Sequence, residues 1–93
     1  MPLNFEWNPR KADANLKKHG VSFEEAATAF GDRLSITVDD PDHSTTDDAR
    51  YVLLGVSHRT RLLVVVHVER GDNTRIISAR TATRHERKTY EEG

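Results

Sequence analysis

The sequence of 93 residues contains no cysteine, so no disulfide can cross-link the fold and no thiolate can bind a metal. Its longest apolar run, Leu62 to Val66, is far shorter than the roughly 20 residues that cross a membrane. No stretch has the pattern of a signal peptide. We therefore expect a single domain spanning residues 1–93, located in the cytoplasm and without membrane contact.

Several motifs that would identify a cofactor or a metal are also missing. No glycine-rich phosphate loop, dinucleotide fingerprint or serine nucleophile motif occurs, and the acidic segment from Asp39 to Asp48 lacks the regular pattern of a calcium loop. The five histidines show no metal-binding spacing; they are His19, His43, His58, His67 and His85. We expect neither a metal nor a cofactor.

Charge is present, but it is distributed unevenly along the chain. Residues 1–49 hold five Lys/Arg and ten Asp/Glu, whereas residues 50–93 hold nine Lys/Arg and five Asp/Glu. The net charge of −1 therefore hides an acidic first half and a basic second half. Such a chain can offer one face to an anion and another to a basic partner, or it can simply have two mixed, solvated surfaces.

Two helices are predicted near the N-terminus, after a short strand at Phe5-Glu6-Trp7. Asn8 is a suitable N-cap for a helix from Pro9 to His19, and Gly20 is a suitable residue to end it. A capping box, Ser22-Phe23-Glu24-Glu25, starts the second helix almost at once. Helices joined so closely are expected to form a hairpin.

The rest of the chain is predicted to be mostly strand. A second capping box, Thr83-Arg84-His85-Glu86, opens a short C-terminal helix that includes Tyr90. The order β-α-α-β-β-β-β-α predicts an α+β domain with an antiparallel sheet of four to five strands and the helix hairpin on one face. The predicted strands after the hairpin are Leu34–Val38, Arg50–Val56, Arg61–Arg70 and Thr74–Thr81.

The last two predicted strands determine which side chains share a face. A turn at Gly71-Asp72 places Arg70 opposite Asn73, and this register separates polar from apolar side chains best. The face expected to be the core then carries Leu62, Val64, Val66, Val68, Arg75, Ile77, Ala79 and Thr81. The other face, a mixed surface, carries Arg61, Leu63, Val65, His67, Glu69, Thr74, Ile76, Ser78 and Arg80. A three-residue turn that brings Glu69 opposite Arg75 stays an alternative. Arg75 and Arg80 point to opposite faces unless a bulge lies between them.

Four arginines are predicted at strand ends or at a helix start: Arg50, Arg75, Arg80 and Arg84. Guanidinium groups stay charged and bind phosphate through paired hydrogen bonds, and the N-terminus of the last helix adds free N–H groups beside them. The pattern favours a phosphodiester over a neutral metabolite. The alternative is a set of solubilising arginines paired with Glu69, Glu86 and Glu91.

Cleavage of RNA also requires groups that move protons. His67 is a candidate acid or base, and on the predicted mixed face it accompanies Arg80. Lys18 and His19 end the first helix and add charge if that corner faces the sheet. Tyr90 is suited to stacking on a base or donating a proton. Each has a structural alternative: a helix cap for His19, a half-buried strand residue for His67, and a helix anchor for Tyr90.

Blocks at both ends of the sequence resemble the BrnT family of bacterial toxins. The first runs through Phe5-Glu6-Trp7-Asn8-Pro9, Lys11, Asn15, Lys18-His19-Gly20-Val21 and Phe23-Glu24-Glu25-Ala26. The second runs through Arg75-Ile76-Ile77-Ser78-Ala79-Arg80, Glu86-Arg87 and Tyr90. Asn8 stands where the family usually has Asp, and both are good N-caps.

The resemblance implies a RelE-like fold and an endoribonuclease that arrests translation. It also implies a BrnA-like ribbon-helix-helix antitoxin as partner, through which the complex binds operator DNA. The matching positions are Lys18, His19, Arg75, Arg80, Glu86 and Tyr90. We expect Arg80 and Arg75 to act on the phosphate, His67 or His19 to move protons, and Glu86 to orient an arginine, with Arg50, Arg84 and Tyr90 binding substrate. A non-catalytic module that acts as a co-repressor with a DNA-binding partner is the alternative.

Overall fold

The computed structural model describes residues 4–44 and 49–93. Its three helices in these ranges are α1 (Pro9–His19), α2 (Phe23–Ala29) and α3 (Arg84–Glu92). Its strands are β1 (Asn4–Glu6), β2 (Ile36–Asp39), β3 (Ala49–Val56), β4 (Leu62–Arg70) and β5 (Asn73–Thr81). A short 3₁₀ turn at Pro41–His43 lies in the predicted acidic loop, whose residues 45–48 fall outside the described ranges.

The five strands form one sheet in the order β1-β5-β4-β3-β2. Neighbouring strands from β2 to β5 are antiparallel, as predicted, and consecutive along the chain. β1 differs, because it pairs in parallel with the start of β5, with Glu6 beside Arg75. The predicted α+β class and the two-helix hairpin are confirmed, and the sheet is mixed rather than wholly antiparallel. No helix in the described part of the chain is long and apolar enough to cross a membrane.

The helix boundaries follow the capping residues of the sequence. The Asn8 side chain accepts hydrogen bonds from two backbone N–H groups of the first turn of α1, and Gly20 ends this helix at a positive φ of 69°. Ser22 caps α2. Thr83 and Glu86 form a reciprocal capping box at the start of α3.

The hairpin of α1 and α2 covers one face of the sheet and forms the main core. Phe23 and the alanines of α2 pack on apolar side chains of the central strands, namely Leu53, Leu63, Val65, Ile76 and Ala79. A methyl group added at Gly55 would lie 2.8 Å from the carbonyl oxygen of Ala29. The glycine therefore permits the close approach of α2 to β3.

The opposite face carries a smaller apolar cluster of Leu54, Leu62 and Val64. α3 lies over this cluster through Tyr90. We call this side of the sheet, away from the hairpin, the open face. α3 covers one end of it, and no other helix in the described ranges packs on it.

The last two strands differ from the predicted hairpin in their faces, and a β-bulge in β5 accounts for part of the difference. Arg70 does lie opposite Asn73, but the register shifts between Val66 and His67, where Ile77 is the extra residue of β5. The buried core lies on the face of Leu63, Val65 and His67, not on the predicted face of Leu62, Val64, Val66 and Val68. This face is the core because the helices α1 and α2 cover it, with α2 in contact with Leu63 and Val65.

Candidate active site

Three arginines lie on the open face, and the bulge brings two of them, Arg75 and Arg80, to the same side of β5. Val64 and Val68 of β4 point to the same side, and they lie opposite Arg80 and Arg75 respectively. Arg50 of β3 lies opposite Val68 from the other side. Arg75 and Arg80 therefore point to the same face, and the bulge between them is the exception under which the sequence allowed this.

Arg80 is held by Glu86 in a two-pronged ion pair. Its Nη1 donates to Glu86 Oε1 at 2.8 Å and its Nη2 donates to Glu86 Oε2 at 2.7 Å. This guanidinium is the main cause that lowers the pKa of Glu86 to about 2, so the carboxylate stays ionised. Glu86 also accepts from the backbone N–H of Thr83, which fixes the pair to the start of α3. Glu86 thus holds the guanidinium of Arg80 in one orientation.

Arg75 is paired with a residue from the N-terminal strand. Its Nη1 donates to Glu6 Oε2 at 2.9 Å, and this hydrogen bond lowers the pKa of Glu6. The predicted alternative partner, Glu69, instead accepts from Thr74 on the hairpin face. The ion pair therefore joins β1 to β5 on the open face.

Arg50 differs from the other two arginines because no carboxylate holds it within the described ranges. Its Nε is buried and lacks a hydrogen-bond partner there. Arg50 and Arg75 lie on either side of Val68, and their Cα atoms are about 10 Å apart, which is two strand spacings. The Cα atoms of Arg75 and Arg80 are about 13 Å apart along the strand direction, since their partners on β4 are separated by four residues.

His67 lies on the hairpin face, away from Arg80, so the predicted sharing of a face is wrong. Its side chain is buried, with its ring 4.8 Å from that of Phe30 and stacked at 5.8 Å on Tyr51. Burial lowers the pKa of His67, which favours the neutral ring at neutral pH. The structural alternative, a strand residue packed into the protein, therefore fits His67 better than an acid–base role beside the arginines, and the side chain is buried rather than half-buried.

Lys18 and His19 lie at the edge of β5, beside the bulge. Together with Lys11 of the same helix they line a shallow pocket of about 230 Å³, whose other wall includes Ile77 and Ser78. Ser78 lies opposite Val66 and so belongs to the open face. The corner of α1 therefore lies at the edge of β5, next to the open face.

Tyr90 and Arg84 occupy different environments on α3. The Tyr90 hydroxyl donates to Asp32 Oδ2 at 2.6 Å, and its ring packs on the Leu54–Leu62–Val64 cluster. Tyr90 is thus placed as an anchor for α3. Arg84 is the first residue of the helix and is exposed.

Two charged residues near this face were absent from the predicted site. Glu6 was missed because a parallel pairing between the two ends of the chain leaves no local signal. Lys11 stands seven residues before Lys18, a spacing that places both on one side of a helix and could have revealed it. Within residues 4–44 and 49–93, no group of three or more His, Asp or Glu side chains could hold a metal ion.

The fold and this surface define a small α+β protein with an arginine-bearing sheet face, on which Glu6 and Glu86 pair with two of the three arginines. Residues 7–86 match the family described as the ribonuclease toxin, BrnT, of type II toxin-antitoxin systems. The chain therefore belongs to the BrnT family of toxins, and a type II system implies an antitoxin partner. No curated protein matches the sequence.

A solved structure supports the fold independently. The ribonuclease toxin BrnT of Brucella abortus, determined at 1.1 Å resolution, superposes with a TM-score of 0.63 and 20% sequence identity. The similarity covers 89% of this chain and 100% of the Brucella chain. At this identity the likeness concerns the fold alone.

Proposed function

We propose that this protein is a metal-independent endoribonuclease that cleaves RNA in the cytoplasm and arrests translation. The observation that carries the proposal is the grouping of Arg50, Arg75 and Arg80 on one face of the sheet. Arginine binds phosphate through directed hydrogen bonds and keeps its charge at any working pH. The family description as a ribonuclease toxin supports the same reading.

Arg80 is the proposed catalytic arginine. Glu86 fixes the direction of its guanidinium, which leaves the remaining N–H groups to stabilise charge on the scissile phosphate. Arg75 is held by Glu6, and Arg80 by Glu86, at different places on the open face. Arg75 and Arg50 would bind neighbouring phosphates of the same strand and hold it across the open face.

The chemical step is an internal transfer that needs no external nucleophile. The 2′-oxygen attacks phosphorus, the bond from phosphorus to the 5′-oxygen breaks, and a 2′,3′-cyclic phosphate and a 5′-hydroxyl form. The proton lost from the 2′-hydroxyl is balanced by one gained at the leaving 5′-oxygen. His19, whose pocket includes Ser78 of the open face, is the proposed group for a proton transfer, in place of the buried His67.

We also propose that the partner is a BrnA-like ribbon-helix-helix antitoxin and that the complex binds operator DNA through it. The family description as a toxin of type II toxin-antitoxin systems supports an antitoxin partner. The neighbouring reading frame tests this directly, since a short gene with a ribbon-helix-helix pattern should lie beside the gene for this chain.

Cleavage is tested by incubating the purified protein with RNA in EDTA and examining the new 5′ ends. We expect ends that a polynucleotide kinase labels without prior phosphatase treatment. Arg80→Ala should reduce the rate about 100-fold or more, the usual loss when a charge-stabilising donor is removed. Arg10→Ala, which changes an exposed arginine of α1, is the matched control. Intact RNA with a folded wild-type protein, or full activity of Arg80→Ala, would contradict the proposal.

A non-catalytic co-repressor module is the second candidate. It is favoured by one observation: Glu6 and Glu86 already satisfy Arg75 and Arg80, as in purely structural ion pairs. Expression without an antitoxin separates the candidates. Growth arrest that Arg80→Ala abolishes supports the ribonuclease, whereas no arrest by a stably expressed protein supports the binding module.

A further inference from the structure

The pocket beside the bulge extends the open face around the edge of β5 toward α1. β1 pairs only with residues 73–75, so the outer edge of β5 beyond Arg75 has no strand beside it in the described ranges. The α1 side chains Lys11, Lys18 and His19 border this edge. An RNA strand that crosses the arginines and leaves the sheet at β5 would therefore pass along them.

Arg75 and Arg80 are each paired with a glutamate, whereas the two lysines of this pocket have no carboxylate partner among the described residues. Among residues 4–44 and 49–93, neither lysine side chain takes part in a hydrogen bond or ion pair, and no Asp or Glu lines the pocket. Both lysines are exposed. They lie two turns apart on one side of α1, about 10 Å along the helix axis.

We propose that Lys11 and Lys18 form a phosphate subsite that binds the RNA backbone beside the cleaved phosphodiester. The inference rests on the proposed ribonuclease function. Phosphate is favoured over an acidic protein segment because the pocket is continuous, through Ser78, with the arginine-bearing face. Lysine binds phosphate as a mobile point charge, so this subsite adds affinity without reading sequence.

The test measures binding separately from cleavage. A fluorescent single-stranded 2′-O-methyl RNA lacks the attacking hydroxyl, so its affinity can be measured over a range of salt concentrations with the intact chain. For K11Q/K18Q we expect weaker binding and a salt slope smaller by about 1.4, the value for two lost phosphate contacts to a single strand. Lys17→Gln, an exposed change on the same helix outside the pocket, should leave affinity and slope unchanged.

The outcomes separate the subsite from the function on which it rests. Absence of RNA binding by the wild type overturns both. Binding by the wild type with an unchanged slope in K11Q/K18Q overturns the subsite alone, and loss of antitoxin binding without a change in slope assigns the surface to the antitoxin instead. Glutamine and lysine have similar helix propensities, so circular dichroism should show an intact α1 in every variant.

Discussion

The side chain of Asn15 bonds to the outer edge of β5 at Ala79, beyond the three residues that pair with β1. Its Nδ2 donates to the carbonyl oxygens of Ala79 at 2.8 Å and Val21 at 2.9 Å, and its Oδ1 accepts from the Ala79 N–H. The amide thus bonds to the strand as a neighbouring peptide group would. It ties β5 to α1 and to the turn before α2.

We predict that Asn15→Ala lowers the free energy of unfolding by about 2 to 3 kcal/mol. The change leaves buried backbone groups of Ala79 and Val21 without partners, and each such group is costly. Asn73→Ala, which removes one exposed hydrogen bond to Glu6, is the control and should cost less than about 0.5 kcal/mol. Urea denaturation measures both, and similar losses in the two variants would contradict the assignment.

At the residue scale, the sequence predicted the caps because each cap is a local interaction. It placed Arg80 and His67 on one face because strict alternation has no means of detecting a bulge. Ile77, the extra residue of β5, is not a glycine and carries no local signal of a bulge. This one extra residue puts Arg80 on the same face as Arg75 and on the opposite face from His67, so the candidate site has a different set of residues.

At the scale of elements, the buried carboxylate of Glu25 connects α2 to the turn between β3 and β4. Glu25 is 2% exposed, accepts from Ser57 Oγ at 2.7 Å and from Arg61 Nε at 2.9 Å, and lies in the first turn of α2. Arg61 also donates to the Gly20 carbonyl at the end of α1. The ion pair therefore connects both helices of the hairpin to the sheet.

We predict that this ion pair makes stability fall in acid. Hydrogen bonding to Arg61 is the main cause that lowers the pKa of Glu25 to about 2, below the ordinary value of 4.5. The stabilisation is fully present above about pH 4.5 and is lost as pH falls through about 2, by up to about 3 kcal/mol. Urea midpoints measured across this range should show the decrease.

The matching variant is Glu25→Gln, which should be less stable at pH 7 and should vary less with pH between 4.5 and 2. Part of the decrease will persist in the variant, because the pKa of Glu86 is also lowered to about 2. Glu24→Gln changes an exposed carboxylate of the same turn and serves as the control. A Glu25→Gln profile that parallels the wild type would rule out the ion pair as the source.

The parallel pairing of β1 belongs to the whole molecule and explains what the sequence could not predict. Consecutive strands with short turns predicted β2 to β5, since each contact is between neighbours in sequence. β1 instead joins β5 across nearly 70 residues, and Glu6 reaches Arg75 through it. The acidic and basic halves are therefore interleaved in one sheet and are not separate spatial halves.

This interleaving predicts that the domain unfolds in one cooperative step. Trp7, the single tryptophan, follows β1 and packs edge-on against Phe23 at 5.9 Å, so its fluorescence reports the contact between the N-terminal segment and α2. Far-ultraviolet circular dichroism reports the helices and the sheet as a whole. Because β5 is bonded to β1, to Asn15 of α1 and to β4, loss of the hairpin would expose the centre of the sheet. The two signals should therefore give the same urea midpoint and slope. A fluorescence transition at lower urea would mean that β1 and the hairpin detach before the sheet unfolds.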